Sequence, residues 1–274
     1  MTWEHEEKWF EQCSKLVGFQ ATEANPMGLM KAADWYIKRL NELRFDVQTI
    51  ENPDAIHRPI IVAVRKPKSS EDGYIGFFQH YDVEPLHRNW SSNPWKLTQR
   101  DGRAFGRGMA DNIGPFVQRL LVLEHSRTDS GIVFVIQGEE EIGSPFADAV
   151  YPTLELPDVD LWIEETGYFY KNKSQRVMTV GSHAILDKII TALGEINEQH
   201  GAKTQHRHRP LNKAFGAERC PCLAHLVKNA PYLAIGPNDD HSTVHGPNES
   251  IALDLLERSA QHLLAVFSVM EGSE

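Results

Sequence analysis

The chain has 274 residues, 41% of them hydrophobic, enough to bury a full core as one large domain or two modest ones. Its formal net charge of -10 repels a phosphate backbone and argues against nucleic acid as a partner. The start Met1-Thr2-Trp3-Glu4-His5-Glu6-Glu7 is acidic where a secretory signal would be basic and then apolar, and no apolar run approaches a membrane span, so a cytoplasmic location without a membrane partner is expected.

Apolar positions recur at helical spacing over residues 3–17. A second helix is predicted over 26–43, with Asn25 as its cap and Pro26 in its first turn. Short β-rich runs follow at 45–50, 60–64 and 74–79. Residues 112–125 read as a helix beginning directly after Asp111, and 131–137 as a nearly continuous apolar strand buried on both faces. Strands are expected at 159–163 and 176–180, amphipathic helices at 184–199 and 251–270, and a further helix at 217–228. The polar stretch 200–213, with His206-Arg207-His208-Arg209-Pro210, reads as a mobile, solvated loop. Cys13, Cys220 and Cys222 are too few and too oddly spaced for a disulfide framework and read as free thiols. Strands alternating with helices give an α/β fold, a three-layer sandwich with a mostly parallel central sheet.

Carboxylates and histidines stand at the ends of these strands, where open α/β sheets place their ligand crevices. His80 and Asp82 are two apart, so in extended chain both point to one face, and one can bind metal while the other holds the imidazole. Asp111 follows Gly106-Arg107-Gly108 and reads equally as the N-cap of the next helix or as a carboxylate bridging two cations. Glu139-Glu140-Glu141 would repel one another without a counter-charge, which a metal supplies. On an extended chain one of them can ligate while its neighbour faces water as a base; the competing reading is an exposed acidic turn. Glu164 and Glu165 repeat the strand-end pattern, and His241 competes with His245 in the loop before the last helix. Hard divalent metals take such oxygen and imidazole sets, and the ensemble points to a two-metal hydrolase.

The ordered set His80-x-Asp82, Gly106-Arg107-Gly108-x-x-Asp111, Glu140-Glu141-x-Gly143-Ser144, the glutamate pair before Thr166-Gly167, and His245 ahead of Asn248-Glu249 resembles the co-catalytic zinc metallopeptidases. That family includes acetylornithine deacetylase, succinyl-diaminopimelate desuccinylase, aminoacylase and the glutamate carboxypeptidases. The resemblance implies a zinc-exopeptidase-like fold and two Zn2+ ions, although Co2+ or Mn2+ fits such ligands nearly as well. It implies that His80 binds one metal, Asp111 bridges both, Glu141 and His245 serve the second, and Glu164, with Glu165 as the alternative, completes the first. Asp82 would orient His80, Glu140 would be the general base, and the Asp111–Asn112 bond would be cis. The implied reaction is hydrolysis of an amide or peptide bond, of deacylase, dipeptidase or carboxypeptidase type. In the mechanism that the resemblance implies, water between cations about 3.5–4 Å apart would be acidified, and Glu140 would take its proton and pass it to the departing amine.

Family members usually insert a lid domain after the strand matching 176–180, whereas here Gly181-Ser182-His183 leads straight into a helix. A single catalytic domain over 1–274 is therefore expected, empty near 180–184, and either monomeric or assembled without a lid. The lid's substrate-binding groups have no matched positions; His183, His206, Arg207, Arg209 or Arg219 stand as substitutes, and Asn93 is a further substrate-binding candidate. The 90–95 loop, with Trp90 and Trp95, either closes the open site or simply packs. A peptide, an N-acyl amino acid or an amino acid held on a carrier protein fits such a site. The alternative is a lidless, non-catalytic member that binds a metabolite or a protein partner; retention of Glu140 argues against it.

Overall fold

A computed structural model of the chain describes residues 4–69, 72–86, 89–164, 167–181, 184–209, 223–227 and 230–272. Two helices, α1 (Glu6–Phe19) and α2 (Pro26–Glu42), lead into β1 (Asp46–Ile50), β2 (Ile60–Arg65) and β3 (Tyr74–His80). Then come β4 (Thr98–Arg100), β5 (Arg103–Phe105), α3 (Gly114–His125), β6 (Gly131–Gln137) and the short α4 (Pro145–Val150). The second half holds β7 (Val159–Glu164), β8 (Tyr168–Tyr170), β9 (Ser174–Val180), α5 (Ala184–Gln199) and β10 (Lys203–Arg209). It closes with α6 (Leu223–Leu226), β11 (Tyr232–Ala234), β12 (Asn238–Asp239), β13 (Ser250–Ala252) and α7 (Leu253–Met270).

The main sheet runs β1-β2-β6-β3-β7-β11-β9-β8-β12, with β10 paired to β9. Its centre, β6-β3-β7-β11, is parallel, and antiparallel pairings flank it at β2–β6 and β11–β9. Strand periodicity divides the core between its two faces. Ile132, Phe134 and Ile136 face one cluster with Phe77, Leu161 and Ile163, under α1, α2, α3 and α7, while Val133, Val135, Phe78 and Trp162 face another under α4 and α6. Burial on both faces makes β6 a continuous apolar run. Asn25 caps α2 by accepting the Gly28 N–H at 3.1 Å. Cys13 is a free, buried thiol, and Cys220 and Cys222 lie outside the described residues. No described helix is long and apolar enough to cross a membrane.

Three expectations need correction. Residues 203–209 form the edge strand β10, in parallel register with β9 from Lys203–Ser174 to Arg209–Val180, not a loop. An edge strand with polar side chains on both faces shows no hydrophobic alternation, so only its backbone pairing reveals it. Asp111 is not the residue that caps α3. A kinked turn over Met109–Ile113, with Asp111 at φ -136 and ψ 92 and a cis Asp111–Asn112 bond, delays the helix to Gly114. Glu140–Ile142 is one 3-10 turn and not extended chain, because Gly143 at φ +89 and the Ser144 N–H to Glu139 C=O bond fold it back. Of the helix expected over 217–228, residues 223–226 form α6 and Val227 follows it; residues 217–222 and 228 lie outside the described set.

Candidate metal centre

The parallel strands end on one rim, and the acidic residues gather there. His80 is the last residue of β3 and is almost fully buried. Its Nδ1 lies 3.0 Å from the Asp82 main-chain carbonyl, and the Asp82 carboxylate stands 3.4 Å from the same nitrogen. With Nδ1–H donated there, Nε2 is the nitrogen turned to Asp111, 3.0 Å from its Oδ1. The other Asp111 oxygen, Oδ2, is 3.3 Å from His245 Nε2. One carboxylate thus reaches two imidazoles with one oxygen each. His245 Nε2 also lies 2.9 Å from Glu141 Oε2.

Backbone donors fix the acidic side chains. The N–H groups of Glu140 and Glu141 donate to the Asp82 carboxylate at 3.2 and 3.0 Å, so Asp82 ties the β3 end to the turn after β6. A small sheet, β13-β5-β4, positions the Asp111 turn from the other side. Just before β13, buried Glu249 accepts from the main-chain N–H groups of Gly108, Ala110 and Asp111 at 2.9–3.0 Å, and Arg107 donates to it at 2.7 Å. Gly108 makes that turn at φ +81, where a Cβ would also meet Val83 at 2.5 Å.

The electrostatics are those of carboxylates and imidazoles crowded together. Burial works against an imidazolium at His80, but the Asp111 and Asp82 carboxylates outweigh it and raise its pKa well above the ordinary value. Hydrogen bonding to Asp111 and then Glu141 lifts His245 to about 10. Burial also opposes ionisation of Asp111, yet His245 and His80 hold its carboxyl below the ordinary range. Glu140 is pushed up to about 8 by burial, with the Asp111, Glu141 and Asp82 charges adding to it and His80 opposing.

Among the described residues, two groups of donors have ligand atoms within 4.8 Å of one another: His80, Glu140 and Glu141, and Glu84, Glu141 and His245. Imidazole and carboxylate donors crowded this closely suit a divalent cation, so the residues fit the metal that the sequence implies. Glu164 is buried at the end of β7, beside β3, and belongs to neither group. Glu165, His183 and Arg219 lie outside the described residues. Asn93 is placed in a surface turn, where its Oδ1 accepts the Trp95 N–H at 2.9 Å. That turn reaches the His245 loop through Ser91, whose N–H and hydroxyl both donate to Asn248 Oδ1, at 2.8 and 2.6 Å. His241 is exposed and does not join His245: its N–H donates to Asp239.

Sequence reasoning missed Glu84, and it named Glu139 and Glu249 within motifs without giving either a role of its own. Glu84 continues the alternation His80, Asp82, Glu84, and that same-face spacing was the signal for it. Glu139 is buried and structural, accepting from Asn52 and from the Phe146 N–H at 3.0 Å each. Glu249 acts over 138 to 142 residues of separation, and its place in the His245 motif gave no sign of that bracing role.

Residues 76–268 match the model of peptidase family M20/M25/M40. Among curated proteins, the chain is 32% identical over 146 residues to the cysteinylglycine-S-conjugate dipeptidase of Corynebacterium striatum, covering 50% of this chain and 31% of that protein. It is 35% identical over 112 residues to a succinyl-diaminopimelate desuccinylase of Cupriavidus necator, covering 38% and 29%. The matched stretches thus span about a third or less of these relatives. Among solved structures, a di-peptidase from Saccharomyces cerevisiae superposes with a TM-score of 0.72 at 13% identity, covering 98% of this chain and 97% of that one. An M20 family metallo-carboxypeptidase from Sulfolobus solfataricus gives 0.73 at 13% identity, covering 97% and 99%.

Proposed function

The chain belongs to peptidase family M20/M25/M40, and from that membership and its rim of ligands we propose that it is a metal-dependent hydrolase of an amide or peptide bond. The observation that carries this reading is Asp111, which offers one oxygen to His80 and the other to His245. Two zinc ions would be held by His80, Asp111, Glu141, Glu164 and His245, with Glu165 as the alternative to Glu164. When bound, they supply the positive charge that polarises a substrate carbonyl and acidifies water.

The protein's own groups do the rest. Glu140 takes a proton from the attacking water onto its carboxylate and returns it to the departing amine nitrogen. Asp82 holds His80 by its main-chain carbonyl and holds Glu140 and Glu141 by their N–H groups, so one residue sets the base against the ligands. Arg107 and Glu249 keep the Asp111 turn in place. A dipeptide or N-acyl amino acid is the substrate class, in keeping with what the dipeptidase and desuccinylase relatives are named for. The reading includes one catalytic domain with no lid inserted near 180–184, working in the cytoplasm.

The test is an assay of the purified chain on a panel of dipeptides and N-acyl amino acids before chelation, after chelation and after zinc is restored. Turnover that disappears and returns with the metal supports the reading. Zinc-loaded protein that cleaves nothing on the panel leaves the rival, a non-catalytic binder.

A further inference from the structure

A cleft of about 750 Å³ opens among β4–β5, the β8–β9 hairpin, the 239–241 turn and the start of α7. None of His80, Asp111, Glu140, Glu141 or His245 lines it. Its floor is apolar and aromatic, with Phe169 beneath the Arg258 guanidinium, 5.1 Å from the ring centroid. Arg258 is half-buried, and its Nε is a buried donor without a hydrogen-bond partner. Burial lowers its pKa, so the guanidinium gains from an anionic ligand that restores lost solvation. Lys171 and Lys173 add exposed cations at the rim.

Carboxylates share the same lining: Glu6, Asp101 and Asp240 on the walls and Asp254 one helical turn before Arg258. Arg103 is already committed to Asp239, with two hydrogen bonds of 2.7 and 2.8 Å. A ligand of one sign therefore meets repulsion on some wall, whichever sign it carries. A ligand with separated opposite charges and an apolar body meets a partner for each part.

We propose that this cleft is a second binding site, separate from the metal centre, for a zwitterionic amino acid with an apolar side chain. The carboxylate is received by Arg258 and Lys171, the ammonium faces Asp101 and Asp254, and the side chain lies against the partly exposed Tyr170 and Leu253. The choice of an amino acid rests on the amide-hydrolase reading, since cleavage of a dipeptide or N-acyl amino acid releases one. The cleft is also built on the frame of the metal centre: β5 runs from Arg103 toward the Asp111 turn, and β13 follows directly on Glu249.

The test is isothermal titration of the zinc-supplemented full chain with L-leucine, beside 4-methylpentanoate, which lacks the ammonium, and isopentylamine, which lacks the carboxylate. We expect saturable leucine binding, each single-charge analogue at least about tenfold weaker, and a similar loss in Arg258→Gln. Arg258→Lys, which keeps the positive charge, should recover part of that loss, and circular dichroism checks that both variants fold. His245→Ala, which cripples the metal centre, should leave leucine binding at this cleft intact. No leucine binding, binding abolished by His245→Ala but untouched by Arg258→Gln, or 4-methylpentanoate binding as well as leucine would each overturn the proposal. None of these readouts is turnover, so their failure leaves the hydrolase reading standing, and the failure of that reading leaves them unchanged.

Discussion

Two histidine clusters sit on the same sheet and have opposite surroundings. At the rim of β3 and β6, His80 and His245 face Asp111, with Asp82 behind one and Glu141 beside the other. On the edge strand β10, His206 and His208 share one hydroxyl, Thr179 Oγ1, at 2.7 and 3.4 Å. The carboxylates raise both rim imidazoles, whereas burial and then His208 lower His206. Histidine content alone thus marks no site. What distinguishes the rim is the supply of carboxylates whose own geometry is fixed by backbone N–H groups.

The largest effect is expected at the base. Glu140→Ala should lower kcat by about 10²–10⁴ while the metal content stays that of the parent, read by steady-state kinetics beside elemental analysis. A variant that loses metal in step with turnover would move Glu140 from base to ligand.

Next is the support of the Asp111 turn. Glu249→Gln leaves the Arg107 guanidinium, also almost fully buried, without its counter-charge, a loss of about 3–5 kcal/mol for breaking such a pair. Metal affinity should fall about 10–100-fold with it, measured by competition with a chromogenic chelator. A variant of unchanged melting temperature and affinity would show that the turn holds itself.

A third expectation uses pH. Without metal, His245 is raised from 6.5 to about 10, so the stability it contributes is fully present below 6.5 and is lost as pH rises through about 10. Glu140, raised from 4.5 to about 8, acts in the same direction, since its ionisation in the folded chain grows costly as pH climbs between those values. The melting temperature of metal-free protein should therefore fall from pH 6.5 to 10. Zinc should flatten that fall, because the imidazoles then ligate in the neutral form. A flat profile without metal contradicts the charge pattern.

The smallest effect is expected at the other cluster. His206→Ala should change stability by no more than about 0.5 kcal/mol and leave kcat/KM within about twofold. A large loss of turnover would join β10 to the site and erase the contrast.

Much of this was legible in the sequence where chemistry follows local pattern. The buried run 131–137, the helix 184–199 and the strand ending at His80 emerged with nearly the observed bounds, because period and composition report burial directly. The spacing of His80 and Asp82 gave their shared face. The short β4, β5 and β13 did not emerge, since three residues carry no period. Nor did β10, whose order comes from pairing with β9 and not from its side chains. In the site, Asp82 was expected to act by its carboxylate alone, yet its main-chain carbonyl takes the His80 hydrogen bond and its carboxylate gathers the Glu140 and Glu141 N–H groups. Such roles depend on which backbone groups are left over after folding, which no spacing of side chains encodes.

The most direct measurement is the metal content of the zinc-supplemented chain by elemental analysis, beside an Asp111→Ala variant shown to be folded by circular dichroism. The account predicts about two zinc per chain in the parent and less than one in the variant, because the variant loses the one carboxylate that both imidazoles share. No bound metal in the parent, or equal metal in both proteins, would contradict it.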